Sequence, residues 1–314
     1  MSLIRQCVNV KGPKKTVIVF DGGGVRGRFA LELCCQLAHS QPIPLSKLFS
    51  MVVGVSAGAM IGTIVALGWL DDMQKTSRAC DQFYTYLPEM FFNPRVPLLH
   101  PKYDGVGKTA ALYKILGDRT FADIITPLVI VCCDLDGAPI VFRSWEQSVQ
   151  NIRLVDALDA SSAAPVFFPP VFVNDQWLCD GGIRANKPLI VALLIAIDFF
   201  DQGNICWLSI GTSMTHFNSL LPFTSLQAAA MGVVSWLKRG LISILLGAGD
   251  DTPEKLMRSL FADRFLRIEC QCETIKLDDV DYQHQLKLNK AAKLVWEQQS
   301  SAILLFVQPN LQDI

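Results

Sequence analysis

An apolar run that ends in a Gly-x-Ser-x-Gly pattern constrains this chain more than any other feature. Residues 51–58 read MVVGVSAG, and a helical stretch of small residues follows. In α/β enzymes this pattern presents a nucleophilic serine at a sharp turn between a buried strand and a helix. Glycine suits Gly54 and Gly58, because a Cβ in so tight a turn would collide with the neighbouring backbone. Ser56 is therefore a candidate nucleophile, and an incidental serine in a glycine-containing turn is the alternative.

A second glycine-rich stretch lies between a predicted buried strand at residues 16–20 and a predicted helix. It reads DGGGVRG at residues 21–27. It formally matches the Gly-x-Gly-x-x-Gly fingerprint that binds dinucleotide phosphates, and its free N–H groups could equally stabilise an oxyanion. The fingerprint requires an acidic residue at the end of the next strand. The next predicted strand, residues 48–53, leads into the serine turn instead, so the oxyanion interpretation is favoured.

The third stretch of interest places an acid before two glycines. Residues 177–182 read WLCDGG, and they follow a predicted helix at 155–164 that Pro165 ends. Such a stretch is typical of an active-site turn or of an ordinary Asp-Gly hairpin turn. The residues alone leave both interpretations open for Asp180.

Composition excludes several classes of protein. The 314 residues are 51% hydrophobic and carry a formal net charge of −1, without a long run of either sign, which argues against nonspecific nucleic-acid binding. The first ten residues hold no long apolar run, so no secretory signal is predicted. Ten cysteines occur without a Cys-x-x-Cys pair, which predicts buried free thiols in a reducing compartment and hence a cytoplasmic location.

The remaining segments predict alternating strands and helices. Residues 188–200 are too short for a membrane span and are interpreted as a buried helix. Residues 70–108 are interpreted as loop-rich, with aromatic side chains that either pack in the core or line an acyl site. Residues 226–246 contain Trp236, Lys238 and Arg239 and are interpreted as a helix that covers the sheet or rests at a membrane interface. Further strands are predicted at 127–135, 139–142, 204–210 and 265–268, and further helices at 254–261 and 282–306.

Four motifs together carry a family resemblance. They are DGGGVRG at 21–27, GVSAG at 54–58, ASSAAP at 160–165 with FPP at 168–170, and DGG at 180–182. In this order and spacing they resemble the patatin-like phospholipase family over residues 14–270. The resemblance implies a three-layer α/β/α fold with a mostly parallel central sheet. Residues 1–13 would then be an N-terminal extension, and residues 271–314 a C-terminal helical segment packed on the same domain.

The resemblance also implies hydrolysis of lipid acyl esters by a Ser–Asp dyad. Ser56 would be the nucleophile, Asp180 its base, and Arg26 a support for the glycine loop. The sequence departs from the family at residues 186–188, NKP, where a second asparagine is usual. The backbone of Gly22, Gly23 and Gly24 would form the oxyanion hole, with Gly54 and Gly58 shaping the serine turn and Gly181 and Gly182 the turn after the acid.

Independent reasoning from residue types agrees with a dyad. None of the four histidines, His39, His100, His216 and His284, lies in a glycine-rich strand-end context. An ionised carboxylate can accept the serine proton directly, although it is a weaker base than imidazole. No metal and no cofactor is expected. The expected partners are a phospholipid or other lipid ester and a transiently contacted membrane surface, at which the protein would be peripheral. The oligomeric state stays open.

Three other classes of function remain as alternatives. One is an α/β-hydrolase esterase that uses a histidine as its base. Another is a nucleotide-binding regulatory protein that uses the glycine run at residues 22–27. The third is an inactive domain of the same fold that binds lipid or a partner.

Overall fold

An eight-stranded sheet forms the centre of the protein in a computed structural model, which describes residues 13–91, 94–95, 100–200, 204–212, 250–269 and 275–308. The strands are β1 (Lys15–Phe20), β2 (Met51–Val55), β3 (Leu128–Asp134), β4 (Pro139–Arg143), β5 (Val171–Val173), β6 (Gln176–Asp180), β7 (Ile205–Ile210) and β8 (Phe265–Ile268). The six strands for which bounds were predicted are confirmed within a few residues, whereas β5 and β6 had no predicted bounds.

The sheet is mostly parallel, as the resemblance implied. Its hydrogen-bonded neighbours follow the path β5-β6-β3-β2-β1-β7-β8, in which β6 and β2 pair with successive parts of β3, and β4 also pairs with β3. Strands β3, β2, β1, β7 and β8 run parallel to one another, whereas β4 and β6 are antiparallel to β3, and β5 is antiparallel to β6. The parallel strands are near-continuous apolar runs because both faces of the sheet are covered.

Alternate side chains of each central strand enter two different cores. In β1, Val17 and Val19 belong to one core, while Ile18 and Phe20 belong to the other. This division follows from the two-residue period of a strand. Two apolar layers of helix are therefore needed, one for each face of the sheet.

Helices cover both faces, which confirms the three-layer α/β/α fold. In the described residues the helices are α1 (Gly27–Ser40), α2 (Leu45–Leu48), α3 (Ala57–Ala66), α4 (Met73–Met90), α5 (Val106–Leu116), α6 (Leu154–Ser161), α7 (Gly182–Ala185), α8 (Leu189–Phe199), α9 (Thr252–Phe261) and α10 (Tyr282–Val307). Helices α8 and α9 contribute to the core with Val17, whereas α1 to α6 and α10 contribute to the core with Ile18. The buried helix expected at residues 188–200 is α8.

The C-terminal helix α10 shares the core of the sheet. Leu288, Ile303 and Val307 are buried in the same cluster as the side chains of α1. Arg28 of α1 also donates from Nε to Asn289 Oδ1 over 2.6 Å. The described part of the segment after residue 270 therefore packs on the same body as the strands.

One prediction about local structure is wrong. Residues 70–108 contain the 18-residue helix α4 rather than mainly loop. Asp72 caps this helix by accepting the Lys75 N–H over 2.8 Å, and Phe83, Leu87 and Met90 are buried at helical spacing. The helical spacing of these buried apolar residues was hard to recognise in the sequence because other aromatic residues lie between them.

Two membrane-related observations concern only part of the chain. No helix among the described residues combines the length and the apolar character needed to cross a bilayer. The segment 226–246, for which a covering helix or an interfacial helix was expected, lies outside the described residues.

Candidate active site

Two strands share one edge of β3, and their ends meet there. Strand β2 pairs with the first half of β3 up to Val55 opposite Val131. Strand β6 pairs with the second half, with Asp180 opposite Cys132. Because β4 occupies the other edge of β3 over the same residues, the ends of β2 and β6 abut. The residue after β2, Ser56, is thereby brought next to the last residue of β6, Asp180.

The turn that carries Ser56 has the strained form expected of a nucleophile elbow. Ser56 has φ of 54° and ψ of −128°, and a positive φ is uncommon for a residue with a side chain. A Cβ on Gly54 would lie 2.5 Å from Gly58 O, and one on Gly58 would lie 2.5 Å from Phe20 O and from Asp21 O. The two glycines therefore allow α3 to begin directly at the sheet. The helix N-terminus also places partial positive charge beside Ser56.

Asp180 is buried at the end of β6 and is held by the turn that follows it. Its Oδ1 accepts the Gly182 N–H over 2.7 Å, and the Ser56 side chain lies close enough to the carboxylate to lower its pKa. A Cβ on Gly181 would lie 2.5 Å from Val131 O, so the turn must approach β3 closely. Burial raises the pKa of Asp180 to about 6, although the Gly182 N–H, the neighbouring Ser56 side chain and the charge of Lys108 oppose that rise.

One backbone N–H of the glycine loop, that of Gly22, does not have the role expected of it. Gly22 donates its N–H to Asn186 O over 2.9 Å, so this N–H is not available to a ligand. The expectation that Gly22 contributes to an oxyanion hole is therefore corrected. Among the described residues, no backbone acceptor takes the N–H of Gly23 or of Gly24, and both residues line a cavity with Ser56.

The glycine loop is braced on several sides. Arg26 donates from Nε to Gly23 O over 3.1 Å, as expected of a residue that steadies the loop. Thr212 donates its hydroxyl to Gly22 O over 2.6 Å, and Val25 donates its N–H to Leu277 O over 2.9 Å. A Cβ on Gly23 would overlap the Thr212 side chain, and one on Gly24, whose φ is +56°, would overlap Leu277 O.

Ser56, Asp180, Gly23 and Gly24 line one cavity of about 310 Å³. Its lining is mostly apolar but includes the charged side chains of Lys102, Lys108, Lys276 and Asp278. Of the aromatic residues for which an acyl lining was one interpretation, Phe83 and Phe91 do line the cavity. The other apolar lining side chains include those of Met60, Leu87, Met90, Phe167, Phe168 and Ile275.

The described histidines take no part in this cavity. His39, His100 and His284 lie outside its lining, and His284 Nδ1 lies 2.7 Å from Asp279 Oδ2. His216 lies outside the described residues. Within the described part of the chain, no group of three or more His, Cys, Asp or Glu side chains is arranged to hold a metal ion.

Sequence reasoning missed several residues that hold this site together. The motif ASSAAP at residues 160–165 was noted, but no role was assigned to Ser161, whose hydroxyl contacts the backbone of Ser56. Asn186 was seen as a departure from the family pattern, yet its carbonyl holds the glycine loop. No motif marks Lys108 or Thr212, because each contacts a residue that is distant in the sequence, at a separation of 51 and 190 positions respectively.

Comparisons with known proteins identify the family. The chain is 27% identical to Patatin-like protein 1 of Arabidopsis thaliana, over 72% of this chain and 65% of that protein. It is 26% identical to the cGAMP-activated phospholipase of Escherichia coli (strain TW11681), over 59% of this chain and 56% of that protein. The crystal structure of VipD from Legionella pneumophila gives a TM-score of 0.46 at 17% identity, covering 92% of this chain and 68% of that one. The family model for patatin-like phospholipase matches residues 18–193, and the chain therefore belongs to the patatin-like phospholipase family.

Proposed function

We propose that this protein hydrolyses the carboxylic esters of lipids, with Ser56 as nucleophile and Asp180 as its base. The observation that carries the proposal is the position of Ser56 beside the buried Asp180, where the ends of β2 and β6 meet at the wall of a largely apolar cavity. Membership of the patatin-like phospholipase family supports the same reaction class.

The proposed reaction proceeds through an acyl-enzyme. Ser56 Oγ attacks the ester carbonyl carbon while Asp180 accepts the hydroxyl proton. The N–H groups of Gly23 and Gly24 stabilise the negative oxygen of the tetrahedral intermediate. Its collapse expels the alcohol, which takes the proton from Asp180. A water molecule then attacks the acyl-enzyme, again with Asp180 as base, and releases the fatty acid and the free Ser56 hydroxyl.

A raised pKa makes Asp180 a better base than an exposed aspartate. With a pKa of about 6 the carboxylate is still mostly ionised at neutral pH, and its affinity for a proton is higher than that of an ordinary aspartate. The dry surroundings strengthen every electrostatic interaction at the site. A base without imidazole is therefore chemically adequate in this cavity.

The cavity lining supports an amphiphilic substrate. Phe83, Leu87 and Met90 on α4 supply an apolar surface suited to an acyl chain, whereas Lys276 and Asp278 supply charge near the glycine loop. We propose a phospholipid or lysophospholipid as the substrate class, with a neutral glyceride as the competing outcome of substrate profiling.

The decisive experiment profiles lipid classes with the wild-type protein and with Ser56→Ala and Asp180→Asn. Each variant is expected to lose nearly all ester hydrolysis and to remain folded, and the double variant is expected to be little worse than either single one. Ester hydrolysis by Ser56→Ala at the wild-type rate would reject the proposal.

Asp134→Asn is a matched control for Asp180→Asn. Asp134 also ends a strand and accepts a following backbone N–H, that of Ala138, over 2.7 Å, but it does not line the cavity. Its substitution is expected to leave turnover within about twofold of wild type. Equal loss of activity in both variants would mean that Asp180 acts through folding and not as a base.

A further inference from the structure

The turn at the end of α6, residues 160–163, is attached to both members of the proposed dyad. The Ser56 N–H donates to Ser161 Oγ over 2.9 Å. The Asp180 N–H donates to Ala163 O over 3.1 Å. Ser56 and Asp180 belong to different strands, so this turn is a third element that fixes one relative to the other.

Ser161 also connects the turn to the strand that both neighbours share. Its hydroxyl donates to Val131 O over 2.7 Å while it accepts from Ser56. Val131 is the position on β3 where the pairing with β2 ends, and Cys132 pairs with Asp180. The hydroxyl therefore bridges the junction at which β6 replaces β2.

A serine hydroxyl fits this junction because it donates one hydrogen bond and accepts others at the same time. The Ser161 side chain is fully buried, so water cannot replace it there. Ser56 leaves the strand geometry with φ of 54°, and its N–H turns away from the sheet ladder to the Ser161 hydroxyl. Removal of the hydroxyl would leave a buried donor and weaken the partners of a buried acceptor.

The turn is itself anchored from α5. Lys108 is buried and donates from Nζ to Asp159 O over 2.8 Å and to Ser162 Oγ over 3.2 Å. Its ammonium also lies 2.9 Å from Asp159 Oδ1 and 4.2 Å from the centre of the Phe168 ring. These contacts hold the end of α6 in place, so Ser161 is presented to Ser56 by a fixed support.

We propose that Ser161 is a positioning residue for ester hydrolysis, which sets the direction of the Ser56 hydroxyl toward Asp180 by holding the Ser56 backbone. The proposal rests on the function proposed above. Ser162 lines the cavity but Ser161 does not, so Ser161 acts through Ser56 and does not touch the substrate. Its loss should therefore reduce kcat and leave KM nearly unchanged.

The test compares Ser161→Ala with Ser144→Ala. Ser144 is a matched control, because its hydroxyl accepts the Leu128 N–H over 2.9 Å at the other end of the same strand. Both variants lose one hydroxyl that binds a backbone N–H, but only Ser161 is attached to Ser56. The measurements are kcat and KM on a short soluble ester per titrated active site, the rate at which a fluorophosphonate labels Ser56, and the melting temperature.

Ser161→Ala is expected to lower kcat and the labelling rate by about 10²-fold, the effect of a misplacement near 1 Å. KM should stay within about twofold, and Ser144→Ala should keep wild-type kcat and labelling. A Ser161→Ala protein with wild-type kcat, or a loss of kcat that Ser144→Ala shares, would overturn the proposal.

Ser161→Cys is a second variant that tests the role of the hydroxyl if the alanine variant does not fold. A thiol has nearly the same shape but is a weak donor and acceptor, so kcat is expected to lie between those of wild type and alanine. Wild-type kcat in the cysteine variant would overturn the role of the hydroxyl. Ser56→Ala in the same assays separates the two proposals: if it is inactive while Ser161→Ala is normal, only the present inference fails.

Discussion

Arg267 of β8 donates from Nη2 to Asp21 Oδ2 over 2.6 Å, and both side chains are almost completely buried. Asp21 directly precedes the glycine loop, and Arg267 also donates to Ser209 Oγ of β7 over 2.7 Å. The pair therefore connects the loop to two neighbouring parallel strands beneath it. Burial raises the pKa of Asp21 although Arg267 opposes the rise, which is the expected situation of a carboxylate far from water.

Arg267→Met is expected to destabilise the protein by about 3–5 kcal/mol, because it leaves the Asp21 carboxylate buried without its main partner. Chemical denaturation measures this loss. Lys114→Met is the control, since Lys114 makes an exposed pair with Glu89 at 2.7 Å and its loss should cost less than about 1 kcal/mol. Similar losses in the two variants would contradict the importance of the buried pair.

Gly24→Ala is expected to lower kcat by at least about 10²-fold, the scale of one lost oxyanion donor. A Cβ there would overlap Leu277 O and displace the loop. Gly117→Ala is a matched control, because Gly117 has a similar φ of +61° but only Arg119 Nη1 within 4 Å, at 3.9 Å. Both variants place alanine at a positive φ, but only at Gly24 would the Cβ displace the loop, so only Gly24→Ala should reduce kcat on a short ester. Equal kcat in the two variants would show that the loop geometry is not critical.

The pH dependence of kcat/KM should follow the ionisation of Asp180. Its pKa of about 6 predicts a rate that falls tenfold per pH unit below that value, because the protonated acid cannot accept the serine proton. The rate profile between pH 4 and 8 on a stable soluble ester measures this. A plateau that extends down to pH 4.5 would contradict Asp180 as the base.

The same ionisation predicts a stability effect of opposite sign to the activity effect. Because the pKa of Asp180 is raised in the folded protein, its ionisation opposes folding above about pH 6 and ceases to do so as pH falls toward 3.8. At about 1.4 kcal/mol per pKa unit, this opposition is on the order of 3 kcal/mol at pH 7. Asp180→Asn should therefore melt higher than wild type at pH 7 and lose that advantage near pH 4. A melting temperature below wild type at pH 7 would contradict this prediction.

Leu87→Phe tests the acyl site. Leu87 is buried on α4 and lines the cavity, so a larger side chain should reduce turnover of long-chain esters about tenfold and spare acetyl or butyryl esters. Leu112→Phe is the control, because Leu112 is buried in the core but does not line the cavity. Each variant overpacks the interior at a similar cost. A chain-length dependence that is identical in both would argue against this cavity as the acyl site.

The sequence predicted those features that local pattern determines. The strands at residues 16–20 and 127–135 were recognisable as β-branched apolar runs, and the small residues around Ser56 predicted a sharp turn into a helix. The relation of Ser56 to Asp180 was available only through the family resemblance, since 124 residues separate them. The sequence could not predict that the Gly22 N–H donates to Asn186 O, because only the fold brings these two residues together.

The β5–β6 hairpin before Asp180 also determines the face of the sheet to which the Asp180 side chain points. Its two turn residues, Asn174 and Asp175, both have positive φ, at 50° and 62°, and Val173 pairs with Gln176 across them. This is the two-residue turn whose twist matches a β-ribbon. Side chains alternate along β6, so the removal of one residue between this turn and Asp180 would point the carboxylate to the opposite face of the sheet. The number of residues between the hairpin and Asp180 therefore decides which face of the sheet the proposed base faces. For this reason, deletion of an odd number of residues from β6 is more harmful than an insertion at the hairpin tip.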